Sequence, residues 1–241
     1  MRILIIRHGD PNYEIDSLTE KGWKEAELLA DKLVKEPIDA IYVSPMGRAK
    51  DTASFTLKRK NMVATECDWL REFGPAIKRT PDHKEWPVCW DWKPIEWENQ
   101  EIFFDRKNWK TQDAMRKYGV DKEYDRVIAC FDQLLAKHGY VRDGEYYRAE
   151  RPSHDTIALF CHFGLQCVLL SRLMNVSPMV LWHHYCAAPT SVTTVLTEER
   201  DEGTAVFRCA SMGDVSHLYV VGEKPAFSAR WCETFTDPER H

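Results

Sequence analysis

Residues 3–6, Ile-Leu-Ile-Ile, make a short apolar run over about 2–6 that predicts a buried strand. Polarity returns abruptly at Arg7-His8-Gly9. Between 18 and 35 the apolar positions 23, 26, 30, 33 and 34 recur at helical spacing, with charges on the other face. Thr19 stands where a helix N-cap belongs, and Pro37 closes the segment. Ile38 to Val43 predicts a second strand, Ala49 to Lys58 a helix, and Met62 to Glu66 a third strand. This alternation implies parallel strands joined by right-handed crossovers.

Near residue 68 the pattern changes. From Trp69 to about Tyr147 strand signals vanish, tryptophans stand at 69, 86, 90, 92, 97 and 109, and prolines at 75, 81, 87 and 94 break the chain into turns. Helices are expected at about 98–118 and 122–138, stopped by Gly119 and Gly139. Strand character resumes at Asp155 to Cys161, followed by an apolar helix at 165–174 and a short one from Pro178 to about Tyr185. Two later strands are read at 191–197 and 205–210, then a surface tail over the last ~20 residues. The expected fold class is α/β: a mostly parallel central sheet flanked by helices, with an inserted irregular and helical cap. The expectation is a single domain, 1–241, with its core at about 1–72 and 155–222, its cap at about 73–150 and its tail at 223–241.

Composition narrows the functions. The net charge of -5 over 241 residues argues against nucleic acid or a membrane surface as a partner. No apolar run reaches the roughly 20 residues of a membrane span. The N-terminal run of about five is shorter than the ~7–15 of a signal-peptide core, so a cytoplasmic location is expected. The eight cysteines are irregularly spaced in mostly apolar surroundings and read as reduced thiols.

Candidate chemistry gathers at strand ends. Ile6-Arg7-His8-Gly9, Val43-Ser44-Pro45 leading to Arg48, and Cys161-His162-Phe163-Gly164 share one plan, an apolar strand followed by basic residues. In a parallel sheet such ends lie on one edge, so two arginines and two histidines can converge there. Guanidinium forks suit phosphate oxygens in geometry and charge, and helix amides beyond His162 would favour the same anion. His8 can act as a nucleophile near neutral pH. Glu72, at the mouth of the aromatic segment, is the best candidate acid, because desolvation raises a carboxyl pKa. The adjacent His183 and His184 cannot share one helical face as zinc ligands. A locally basic stretch, Lys78, Arg79, His83, Lys84 and Lys93, hints at a second anionic group on the substrate.

These segments together resemble the histidine phosphatase superfamily, which includes the cofactor-dependent phosphoglycerate mutases. Arg7-His8-Gly9 matches its signature, Leu18-Thr19-x-x-Gly22 its first-helix motif, and Ser44-Pro45-x-x-Arg48-Ala49-x-x-Thr52-Ala53 its second motif. His162-Phe163-Gly164 corresponds to its second histidine, and Gly213 to Leu218, with His217, resembles a late segment near the phosphate. The resemblance implies a metal-independent phosphomonoesterase of histidine acid phosphatase type, without a cofactor, acting on a small phosphorylated substrate. It implies that His8 becomes a phosphohistidine, that Arg7, Arg48, His162 and His217 hold the phosphate, and that Glu72 is the acid and then the base. Mutase-type phosphoryl transfer is the alternative within the superfamily, although the segment after Gly9 is shorter than the Trp-Asn-rich loop of its mutases. A non-catalytic phosphoanion-binding protein is the alternative outside it.

Overall fold

Alternate residues of the first strand, β1 (Arg2–Arg7), enter two separate cores. Ile3 and Ile5 pack on one face of the sheet, Leu4 and Ile6 on the other. A strand buried on both faces needs helices on both sides, which gives three layers. The computed structural model describes residues 1–78, 88–228, 234, 236 and 237.

After β1 the chain forms a small hairpin, β2 (Pro11–Asn12) and β3 (Ser17–Leu18), then helix α1 (Glu20–Leu33). Strand β4 (Ile38–Val43), helix α2 (Gly47–Lys60) and the two-residue strand β5 (Thr65–Glu66) follow. The connecting segment holds short helices α3 (Pro94–Trp97) and α4 (Asp113–Lys117) and the long helix α5 (Val120–Lys137). A hairpin of β6 (Tyr140–Asp143) and β7 (Tyr146–Ala149) leads to β8 (Thr156–Cys161). Helices α6 (Phe163–Met174) and α7 (Pro178–His184) precede strands β9 (Val192–Asp201) and β10 (Thr204–Asp214) and helix α8 (Ser216–Tyr219).

The eight-stranded sheet has the order β5-β4-β8-β1-β9-β10-β7-β6. Its core strands β5, β4, β8 and β1 are parallel, and the remaining neighbours pair antiparallel, so the sheet is mixed. Leu29 and Leu33 of α1 and Ala49 and Ala53 of α2 cover one face, while α5 and α6 cover the other.

Several expectations need correction. The predicted helix at 98–118 is a chain of tight turns, Glu101–Phe104 and Trp109–Thr111, ending in the short α4. Its aromatic residues pack ring on ring: Trp109 meets Trp182 at 5.5 Å and Tyr124 at 5.1 Å, and Trp92 meets Phe103 at 5.3 Å. Side-chain shape, rather than helical repeat, sets that path. The stretch from Trp69 to about Tyr147, where no strand was expected, contains β6 and the start of β7. The third strand shrinks to Thr65–Glu66. In α1 the buried face runs through Gly22, Glu25, Ala26, Leu29, Ala30 and Leu33, leaving Trp23 and Val34 exposed. Residues 223–228 of the expected tail dock on α1 through Ala226 and Lys224. Of the basic stretch, Arg79, His83 and Lys84 lie outside the described residues, as do Trp86 and Cys232. The seven described cysteines are free; Cys89, Cys161 and Cys167 are buried and Cys186 is exposed.

The start of α1 abuts the turn after β1. Thr19 caps the helix, its Oγ1 accepting the Gly22 N–H at 3.0 Å and donating to Asp10 Oδ2 at 2.8 Å. A Cβ on Gly22 would drive into the Asp10 backbone carbonyl. Gly22→Ala is therefore expected to destabilise the protein by about 1–3 kcal/mol through overpacking, seen as a lower urea midpoint. An unchanged midpoint would show that the Asp10 turn yields freely.

Candidate active site

The parallel register brings three strand ends to one level. Arg7 pairs with Cys161 and Val43 with Phe160, so His8, His162 and Ser44 emerge side by side. Backbone bonds extend this alignment past the strands: His8 N–H donates to the Cys161 carbonyl at 3.0 Å and Ser44 N–H to the Phe160 carbonyl at 3.0 Å. Thr52 of α2 adds a brace, its Oγ1 accepting the Gly9 N–H at 2.8 Å and donating to the Arg48 carbonyl.

His8 is buried, with its Nδ1 2.7 Å from the Gly9 carbonyl oxygen. A carbonyl can only accept, so Nδ1 carries the proton and the lone pair of the neutral ring sits on Nε2. Burial holds the His8 pKa well below its usual value, and Arg7 and Arg48 push the same way against the Gly9 bond. The His162 ring lies 5.0 Å away between centroids, with its Nε2 2.8 Å from Ser44 Oγ. Burial, then His8 and the arginines, keep it neutral as well.

Both arginines are anchored by one edge. Arg7 Nη1 donates to the carbonyls of Ala187 at 2.6 Å and Ser228 at 3.0 Å. Arg48 Nη1 donates to Asp16 Oδ1 at 2.6 Å, and its guanidinium lies 5.4 Å from the Tyr13 ring centre. Asp16 also accepts the Gly47 N–H at 2.7 Å, fixing the start of α2. The other edges differ: Arg7 Nε, Arg48 Nε and His162 Nδ1 are buried side-chain nitrogens without a protein partner. Buried arginine N–H donors left without partners are costly, and an oxyanion with several lone pairs suits both, as it suits His162 Nδ1 in the tautomer whose Nε2 accepts from Ser44. His217 Nδ1 is likewise buried without a protein partner. Its Nε2 is 3.1 Å from Thr190 Oγ1, and the Thr190 N–H donates to the His8 carbonyl at 3.1 Å. Burial lowers its pKa to about 4, so it is neutral at working pH.

Glu72 lies at the N-terminus of α6, where Oε1 accepts the N–H groups of Phe73 at 2.8 Å and Leu165 at 3.0 Å. Of the α6 amides expected to favour the substrate anion, that of Leu165 holds this carboxyl. Desolvation raises its pKa, outweighing the amides of Phe73, Leu165 and Gly164 and the charge of Arg7. Trp90 covers the junction: its Nε1 donates to the Phe73 carbonyl at 2.6 Å, and it lies so close over Gly164 that a Cβ there would clash.

Several contributors were not anticipated. Asp16, Ser228 and Thr190 act through a loop carboxylate, a main-chain carbonyl and a left-handed turn, φ +58° at Thr190, none of which marks a sequence. Glu25 was read as part of a charged face, yet it is fully buried, and burial pushes its pKa up to about 7. Between pH ~4.5 and ~7 the unfolded chain ionises while the folded chain holds this proton, so stability falls as pH rises. Glu25→Gln should match wild type near pH 4.5 and gain up to about 3 kcal/mol over it by pH 8 in urea unfolding. A gain that does not vary with pH would remove this residue from the account.

Over an 86-residue stretch the sequence is 29% identical to phosphoserine phosphatase 1 of Hydrogenobacter thermophilus, covering 32% of this chain and 41% of that protein. A crystal structure of a phosphoserine phosphatase mutant from Entamoeba histolytica, in complex with phosphoserine, superposes with a TM-score of 0.57. It shares 18% identity and the match covers 90% of this chain and 98% of that one. Mycobacterial glucosyl-3-phosphoglycerate phosphatase, in complex with VO3, matches at TM-score 0.56 and 20% identity over 88% of this chain and 98% of that one. Among the described residues no helix is long and apolar enough to cross a membrane. The family model of the histidine phosphatase superfamily, branch 1, matches residues 3–209, from β1 into β10, and the chain belongs to that superfamily.

Proposed function

We propose that the protein hydrolyses a small phosphomonoester in two steps through a phosphohistidine on His8. The observation that carries this reading is the fixed His8 ring: Nδ1 committed to the Gly9 carbonyl and Nε2 left with the lone pair, with the His162 ring 5.0 Å away and the charges of Arg7 and Arg48 acting on it. Nε2 attacks phosphorus, and the bond to the ester oxygen breaks as Glu72 gives that oxygen its proton. Water then attacks the phosphohistidine, Glu72 takes back a proton, and inorganic phosphate leaves with His8 restored.

Charge on the transferring oxygens is stabilised by the Nε edges of Arg7 and Arg48 and by His162 Nδ1. His217 supports the same turn through Thr190. These side chains supply the electrostatic stabilisation without recourse to a metal or other cofactor. Because burial keeps His8 uncharged well into acid, the nucleophile survives where an ordinary histidine is protonated, which supports an acid phosphatase-type range. The segment between the two halves of the core is the cap that we expect to select the substrate. Free thiols at the seven described cysteines suit a cytoplasmic setting.

The test is hydrolysis of 4-nitrophenyl phosphate, phosphoserine and 3-phosphoglycerate with EDTA present. The two acids are chosen because relatives of the fold are described with phosphoserine and with 3-phosphoglyceric acid. Turnover that EDTA leaves intact is expected for at least the aryl ester. Phosphate binding without hydrolysis of any ester would instead favour a phosphoanion-binding protein.

A further inference from the structure

Residues Glu223 to Ser228 lie along the first turns of α1. Glu223 pairs with Lys21 and Lys24, and Lys21 Nζ donates to the Lys224 carbonyl at 2.7 Å. Beneath them the buried Glu25 accepts the Ala226 N–H on Oε1 at 2.7 Å, and its carboxyl group lies against Asp10. This one carboxylate therefore ties the end of the chain to the turn that follows His8. Ser228 completes the link from the other side. Its hydroxyl donates to Asp10 Oδ1 at 2.7 Å and its carbonyl accepts from Arg7 Nη1 at 3.0 Å.

The geometry of a guanidinium gives these bonds a consequence. Nη1 has two hydrogens, and the carbonyls of Ala187 and Ser228 account for both. With that edge held, the planar fork cannot turn, and Nε is presented, buried and without a protein partner. An arginine held by Ala187 alone keeps one bond and can rotate about it.

We propose that Glu25 is a positioning residue: it anchors segment 223–228 so that the Ser228 carbonyl locks Arg7 with its Nε edge toward the phosphoryl oxygens. The inference rests on the phosphatase reading above, yet its test reads binding rather than turnover. Inorganic phosphate is titrated calorimetrically into wild type, Glu25→Ala, Glu25→Gln, Ala226→Pro and a chain ending at Gly222. Ala226→Pro removes the N–H that Glu25 accepts while keeping the carboxylate.

Phosphate binding is expected to weaken about tenfold in Glu25→Ala, in Ala226→Pro and in the shortened chain, the effect of losing one charge-assisted hydrogen bond. Glu25→Gln, which keeps an accepting oxygen, should stay within about twofold of wild type. With an aryl ester the first three should raise KM more than they lower kcat. Equal phosphate affinity in wild type and the shortened chain would overturn the inference and leave the phosphatase reading standing. Tighter phosphate binding or higher kcat/KM in the shortened chain would also overturn it, since the segment would then compete for Arg7. No phosphate binding by wild type would overturn both. Should Glu25→Ala fail to fold, Ala226→Pro and the shortened chain decide alone.

Discussion

His8→Ala is expected to lower kcat for an aryl phosphate on the order of 10⁴-fold or more, to the level left by binding and oxyanion stabilisation. The effect is large because, among the described residues, no other group nearby is arranged to replace the lost nitrogen. The His162 ring presents Nε2 to Ser44, and its other nitrogen is buried without a protein partner, as the arginine Nε groups are. Cys161 and Cys167 are near Glu72, but burial pushes both thiols far from ionisation. Water in place of His8 would have to attack in a single step, with Glu72 unable to be both acid and base at once. The decisive measurement joins kinetics to trapping. Wild type quenched during turnover should carry one acid-labile phosphoryl group per chain, and His8→Ala none. Substantial activity without a trapped group would mean direct attack by water and would overturn the covalent mechanism. Phosphate should still bind to His8→Ala, because the donors of Arg7, Arg48 and His162 remain.

What the sequence made legible follows from how each part is encoded. Strands β1, β4 and β8 are buried on both faces, so they read as apolar runs, and their ends showed where Arg7, His8, Ser44 and His162 converge. Helix α1 was visible through its repeat and its Thr19 cap, although Glu25 lay hidden because a glutamate that accepts a backbone N–H looks like any surface charge. The hairpin of β6 and β7 did carry a signal: in Tyr146-Tyr147-Arg148-Ala149 the second and fourth residues are buried and the others exposed. Four residues are too few for that alternation to stand out beside the helical pattern of α5. The stretch from 98 to 118 misled for the opposite reason, since Phe103 and Trp109 are buried by ring contacts to residues outside the stretch rather than along one helix face. The hold on Arg7 was illegible altogether. Both of its partners are main-chain carbonyls, which every residue possesses.

Glu72 allows a sharper test of mechanism, because acid and base fall in different steps. Glu72→Gln keeps an oxygen to accept the Phe73 and Leu165 N–H groups, so the start of α6 should hold its geometry while the titrating proton is lost. With phosphoserine the leaving alkoxide needs that proton, and kcat should fall by about 10²–10⁴, the usual contribution of a general acid. With 4-nitrophenyl phosphate the leaving group departs without help, so phosphorylation of His8 should survive. The second step still lacks its base. Nitrophenol should then appear as a burst of one equivalent per chain, followed by a slow phase, while phosphoserine gives no burst. The pH profile carries the same signature. Desolvation raises the Glu72 pKa, so the acid form needed for step one persists above the ordinary carboxyl range and is lost as pH rises through the raised value. Wild-type kcat/KM for phosphoserine should fall along that alkaline limb, and the Glu72→Gln profile should be flat there. Equal losses on both esters without a burst would give the proton to another group, and an unchanged limb in Glu72→Gln would do the same. A burst on the aryl ester alone would fix Glu72 in both roles, because only a residue used in the two half-reactions separates them in this way.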